Sequence, residues 1–184
     1  MSAVSTRALA LSLAIAIPLS PVAAPAASLG DVAAGRPEIS KFVAALKAAG
    51  LEGAIAGKKP MTVFAPTDSA LDALPSGLWA RLQDPKNKQL LLATLKSHLT
   101  PGNYPSTRLI AAKVPRFDIP TLASGKIKID RSKALMAGPA ALYRLDVTGT
   151  NGTIHIVDKV LLPPQVRALL PAAPQKSAKS AKAP

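Results

Sequence analysis

His98 and His155 are the only two histidines in a chain of 184 residues that has no cysteine. Imidazole is the side chain best suited to proton transfer near neutral pH, and it is a common metal ligand. A zinc site, however, takes at least three protein ligands at recognisable spacing. Only carboxylates are left to complete such a set here. Asp68 and Asp72 stand one helical turn apart, with neither histidine nearby in sequence. Asp68 opens a short apolar run, where a carboxylate accepts backbone N–H bonds and complements the helix dipole. Its expected role is therefore structural. Nucleophilic catalysis finds no frame either, because no G-x-S-x-G elbow presents a serine. Residues 53–59 are rich in Gly and Lys, but a phosphate-binding loop would need Gly in place of Glu52 and Ser or Thr in place of Lys59. On residue types alone the chain is expected to act by binding, with no catalytic residue, metal or cofactor.

The elements that hold these side chains follow from the apolar spacing. Residues 37–50 read as one helix, with Pro37 and Glu38 in its first turn and Gly50 at its end. Ile39, Phe42, Val43 and Leu46 make its apolar stripe. Residues 51–56 suggest a further helical turn. Met61 to Phe64 are β-prone, with Ala65-Pro66 expected to stop the strand. Thr67, Asp68 and Ser69 supply caps for a short helix, and Leu78 to Leu82 a second. Asp84-Pro85 opens a third that carries Leu91, Leu92, Leu95 and Leu99 up to Pro101-Gly102. His98 shares a stripe with Leu91, Thr94 and Leu95, which predicts that it faces the core edge and bonds a carbonyl or hydroxyl. Lys126 to Asp130 alternate as a half-buried strand does. Two more β-rich runs, 141–147 and 153–162, flank Asn151-Gly152, a strong hairpin signal. His155 falls mid-strand with Thr153 and Val157 on its face, and Ile154, Ile156 and Val160 are expected on the other. Helices precede strands, the order of an α+β domain.

Three segments are similar to the signatures of the fasciclin-like domain family. Met61-Thr62-Val63-Phe64-Ala65-Pro66-Thr67-Asp68-Ser69-Ala70-Leu71 resembles its first signature. Leu95-Lys96-Ser97-His98-Leu99-Thr100-Pro101-Gly102 resembles its central Tyr-His segment, with Ser97 where the family has Tyr. Residues 151–163, from Asn151-Gly152-Thr153-Ile154-His155 through Asp158 to Pro163, resemble its closing signature. The resemblance implies a compact β-wedge of two small sheets flanked by mainly N-terminal helices, in a single-domain, exported, bacterial member. It implies cell adhesion or surface contact. Asp146-Val147 stands near where members of the family often carry an Asp-Ile pair linked to receptor binding. The candidate partner contacts are therefore His98, Tyr104, Asp146 and Val147. Thr67, Asp68, Asn151, Gly152, His155 and Asp158 are motif positions with expected structural roles, as is His98.

Arg7, an apolar run from Ala8 to Leu19 and Ala24-Pro25-Ala26 are laid out as a secretory signal peptide. The expected division is a signal over 1–27 cut near Ala26, one domain over 28–170, and an Ala/Pro/Lys tail over 171–184. That tail has too little apolar surface to fold. The apolar run is shorter than the ~20 residues of a membrane span. Asn151-Gly152-Thr153 is also a formal glycosylation sequon, which the turn explains. The net charge is +13, which favours anionic partners. With aromatics at 3% of the chain, stacking platforms for single-stranded nucleic acid are lacking. The expected partner is a surface protein or an anionic polysaccharide, with Lys176, Lys179 and Lys182 adding affinity for anionic membrane. The alternative function is a periplasmic carrier or sensor of a small apolar ligand in a cleft between sheets and helices.

Overall fold

The computed structural model describes residues 27–75 and 77–168. The expected signal peptide, its cleavage site and the tail lie outside the described residues. Ser28 opens the first helix, α1 (Leu29–Ala34), through a capping box with Asp31. The helix expected over 37–50 divides into a 3-10 turn at Pro37–Ile39 and α2 (Ser40–Ala48). Proline fixes the entry, and Gly50 takes a left-handed φ of 72° after the exit. Helix α3 (Glu52–Ala56) follows.

Strand β1 (Met61–Pro66) does not stop before Ala65 as expected. It continues because a parallel neighbour pairs Ala65 with Ile156 and Pro66 with Val157. Next come α4 (Asp68–Asp72), whose cap Thr67 accepts the Ala70 N–H, and α5 (Leu78–Gln83). Helix α6 (Lys88–Ser97) ends four residues before the expected Pro101, since 99–101 leave it as β2 (Leu99–Pro101) and pair with β1. A short helix α7 (Ser106–Ile110) leads to β3 (Arg116–Pro120), β4 (Lys126–Asp130), β5 (Met136–Ala137), β6 (Ala140–Gly149), β7 (Gly152–Val157) and α8 (Pro164–Arg167).

The strands run in the order β2-β1-β7-β6-β5-β4-β3. Strand β6 is long enough to belong to both sheets of the wedge. Its start pairs with β5 and its remainder with β7. Among the described residues only the central β1–β7 pair is parallel, and every residue of both strands is buried, as expected of parallel strands covered on two faces. Their alternation divides the core. Val63, Ile154 and Ile156 face a cluster with Phe42, Leu46, Leu71 and Leu95 of the helices. Phe64 and Val157 face a second cluster with Ile119, Ile127 and Ile129 inside the wedge. Val160 reaches the helical cluster from beyond the end of β7. A Leu122 N–H bond of 2.8 Å to the Leu99 carbonyl links the β3–β4 turn back to β2.

The β6–β7 hairpin exists, but its turn sits one residue earlier than Asn151-Gly152. Gly149 pairs with Gly152, leaving Thr150 and Asn151 in the loop. Gly152 already belongs to the strand at φ 148°, and a Cβ there would lie 1.8 Å from the Met61 carbonyl oxygen. Backbone therefore fills the place of the side chain. Gly53, by contrast, has open space on its helix. Gly152→Ala should lower the urea-unfolding free energy by at least ~2 kcal/mol. Gly53→Ala should be neutral or slightly stabilising. Equal midpoints for Gly152→Ala and the parent would show that the β1–β7 approach is misplaced.

Candidate functional site

His98 follows the last turn of α6, fully enclosed, with its ring 5.4 Å from that of Phe42. The Leu161 N–H donates to Nε2 at 2.9 Å, so the proton sits on Nδ1 and donates to the Thr94 carbonyl at 2.8 Å. Both nitrogens are committed to backbone. Burial, opposed only in part by the Thr94 bond, pushes the imidazole pKa down to about 4. As a partner contact His98 is corrected: a side chain 1% exposed meets no partner.

His155 lies at the centre of a polar seam that fixes the 102–105 loop. Its Nε2 bonds the Tyr104 carbonyl at 2.8 Å, and Nδ1 accepts the Asp146 N–H at 3.4 Å. Thr62 Oγ1 donates to the Gly102 carbonyl and accepts the Tyr104 N–H, at 2.8 and 2.9 Å. Thr153 Oγ1 donates to Asn103 Oδ1 at 2.8 Å. Burial lowers the His155 pKa, against the raising effect of the Tyr104 bond and the Asp146 charge. Asp146 has a left-handed φ of 55° within an irregular stretch of β6, a conformation that Asp tolerates and that a bulge uses to re-aim a side chain. Its carboxylate thereby accepts both the amide, at 2.7 Å, and the hydroxyl of Ser106. Burial raises its pKa, but these two bonds outweigh burial and hold the carboxyl below its usual range.

Ser106, Asp146 and His155 are neighbours without being a catalytic relay. The carboxylate bonds the serine rather than the imidazole, and neither imidazole nitrogen is left for the hydroxyl. The seam instead holds half-buried Tyr104 in place, with the Arg108 guanidinium 4.8 Å above its ring. Of the expected contacts, Tyr104 and Asp146 are thus brought together. Val147 is corrected alongside His98, because it packs into the helical core at 7% exposure. Ser106 and Arg108 belong to none of the three signature segments, and their one local signal is Pro105-Ser106, a helix start.

The remaining motif positions serve the fold. Asp68 does not cap its own helix. It caps α2, accepting the Lys41 N–H at 2.9 Å and the Ser40 hydroxyl at 2.6 Å, while Asp72 pairs with the Lys41 ammonium. Asn151 holds Leu29 N–H and the Ile55 and Gly57 carbonyls through its side chain. Its amide nitrogen is fully engaged, which disfavours the sequon in the folded chain. Asp158 accepts the Ala141 N–H at 2.6 Å. Among the described residues no three His, Asp or Glu side chains converge as metal ligands, and no helix is long and apolar enough to cross a membrane.

A wedge with a buried parallel pair at its centre, and both histidines spent on backbone, defines a structural scaffold of the fasciclin type. The fasciclin domain model matches residues 37–163, and the chain belongs to that family. Protein sll1483 of Synechocystis is 37% identical over 148 residues, covering 76% of this chain and 75% of that protein. Human Stabilin-1 is 30% identical over 154 residues, 80% of this chain but 6% of Stabilin-1. The solved FAS1 domain pair of the insect cell adhesion molecule Fasciclin I matches with a TM-score of 0.67 at 18% identity. That match covers 76% of this chain and 52% of the solved one, and it shows the shared fold.

The two histidines make stability depend on pH with a fixed sign. Each is held neutral in the fold, whereas an unfolded imidazole binds a proton below about 6.5. Stability should be flat above that value and fall as pH drops from 6.5 toward 4, by on the order of 3 kcal/mol for His98. Urea midpoints taken across this window should show the loss, and His98→Gln should remove the His98 share of it. A parent protein equally stable at pH 4.5 and 7 would contradict the enclosure of His98.

Proposed function

We propose that this chain is an exported adhesion module, released by cleavage near Ala26. It engages anionic polysaccharide or an acidic protein surface in the cell envelope, and it works by binding rather than by catalysis. The observation that carries this reading is the imbalance between committed carboxylates and uncommitted cations. Nine of the ten carboxylates accept a hydrogen bond or ion pair within the fold, Asp118 being the exception among the described residues. Among the described residues, ion pairs take up only Arg36, Lys41, Lys47 and Arg116. Along α7 and strands β3 to β6, residues 108–144 carry eight basic side chains against two acidic ones, and of the eight only Arg116 is in an ion pair among the described residues. A clustered field of one sign attracts polyanions and speeds encounter. The FAS1 pair of an insect adhesion molecule shares the fold, which supports the same class of role. Lys176, Lys179 and Lys182 would extend the contact toward anionic lipid, at about 1 kcal/mol each near the surface.

Lys113 and Lys133 are exposed in the loops before β3 and after β4 and outside every ion pair among the described residues, so their reversal tests the reading cleanly. The protein should be retained on immobilised alginate and released by salt, since screening shortens the reach of charge to ~10 Å at 0.1 M. Lys113→Glu/Lys133→Glu should elute at clearly lower salt with an unchanged thermal midpoint. Equal elution would remove the polyanion reading. An intact Met1, by mass spectrometry of protein from its host, would remove the export reading.

A further inference from the structure

A groove of about 790 Å³ lies between β4 with its preceding turn and residues 158–167, with the end of α4 at its base. That volume is typical of small-ligand sites. Leu74, Ile127, Val160 and Leu162 give it an apolar floor. Lys126, Lys128, Lys159 and Arg167 give it a rim of four exposed cations, none in an ion pair among the described residues. The one carboxylate beside them, on Asp158, accepts the Ala141 N–H. Thr121 also lines the groove. It is 8% exposed, and its Oγ1 is buried without a hydrogen-bond partner. An unmet buried hydroxyl carries a desolvation cost, which a ligand oxygen would recover.

We infer that this groove binds an amphiphile with an acyl chain and an anionic headgroup, either carboxylate or phosphate. The chain lies along the leucine, isoleucine and valine floor, where each buried CH₂ is removed from water. The headgroup reaches the lysine and arginine rim, and the Thr121 hydroxyl donates to one of its oxygens. Sugar rings stack on aromatic faces, and no aromatic side chain lines the groove. A cationic ligand would meet the rim as like charge. The site shares Lys126 and Lys128 with the basic stretch of the adhesion reading, but Lys113 and Lys133, whose reversal tests that reading, do not line it.

The full chain is titrated calorimetrically with dodecanoate, dodecyl phosphate, dodecanol and dodecyltrimethylammonium, each below its micelle-forming concentration. Both anions should saturate at one per chain, dodecanol should bind at least tenfold more weakly, and the cation should not bind. The tighter of the two anions tells whether a carboxylate or a phosphate headgroup is preferred. Lys126→Glu/Lys128→Glu, on the exposed face of β4, should weaken the anions at least tenfold and keep the thermal midpoint. Thr121→Val should weaken them several-fold with an equal or higher midpoint, whereas a merely structural hydroxyl would leave affinity unchanged. Dodecanol matching dodecanoate, no saturable anion binding, or parental affinity in the double variant would overturn the proposal. Anion binding seen only after truncation at residue 168 would also overturn it, since the chain's own tail would then occupy the groove. Loss of alginate retention in Lys113→Glu/Lys133→Glu bears on adhesion alone and leaves this result standing.

Discussion

One amide side chain ties the helical layer of this fold to its sheets at the corner of the core. Asn151 accepts the Leu29 N–H at 2.8 Å and donates to the Ile55 and Gly57 carbonyls at 2.8 and 2.6 Å. Its own carbonyl accepts the Met61 N–H at 2.9 Å. The start of α1, the end of α3, the start of β1 and the β6–β7 turn are therefore tied through a single residue. Every one of these backbone groups would otherwise be an orphan in or near the core, and such orphans cost about 1–3 kcal/mol each. The contact of Gly152 with the Met61 backbone adds a steric constraint at the same point. Once that corner is fixed, the parallel β1–β7 pair is in register, and its alternation sends one set of side chains to the helices and the other into the wedge.

The same economy accounts for the quiet chemistry of the interior. His98 and His155 stitch the segments after β7 and before α7 to the scaffold, and each keeps a neutral ring because burial penalises the charged form. Asp68 and Asp146 are spent on the Ser40–Lys41 and Ser106 amides and hydroxyls. What remains for interaction is a surface rich in cations, and a groove whose apolar floor and basic rim suit anionic amphiphiles.

The sequence carried much of this where the signal was local. Lys126 to Asp130 alternate in sequence and form β4 within those bounds. The three signature segments lead to the family and its α+β wedge. Errors came where a residue answers to a distant partner. Asn151 looked like a turn residue free to take positive φ, but its side chain is held by residues some ninety and more positions away. Asp68 looked like the cap of its own helix and caps α2 instead. Pro66 looked like a strand breaker and stays in β1 beside Val157. Of the candidate contacts, Tyr104 and Asp146 share a seam, while His98 and Val147 are buried, a distinction that residue type alone does not carry.

The joint at Asn151 is open to one direct comparison. Asn151→Asp keeps the acceptor for Leu29 but loses both donors to α3 and its following turn, and it places a carboxylate against two carbonyls. Hydrogen exchange should show α1 and α3 amides exchanging at least tenfold faster than in the parent, with Ile119, Ile127 and Ile129 of the outer sheet changed far less. Unchanged protection of α1 and α3, or an equal loss at every amide, would contradict the account of Asn151 as the corner that joins the two layers.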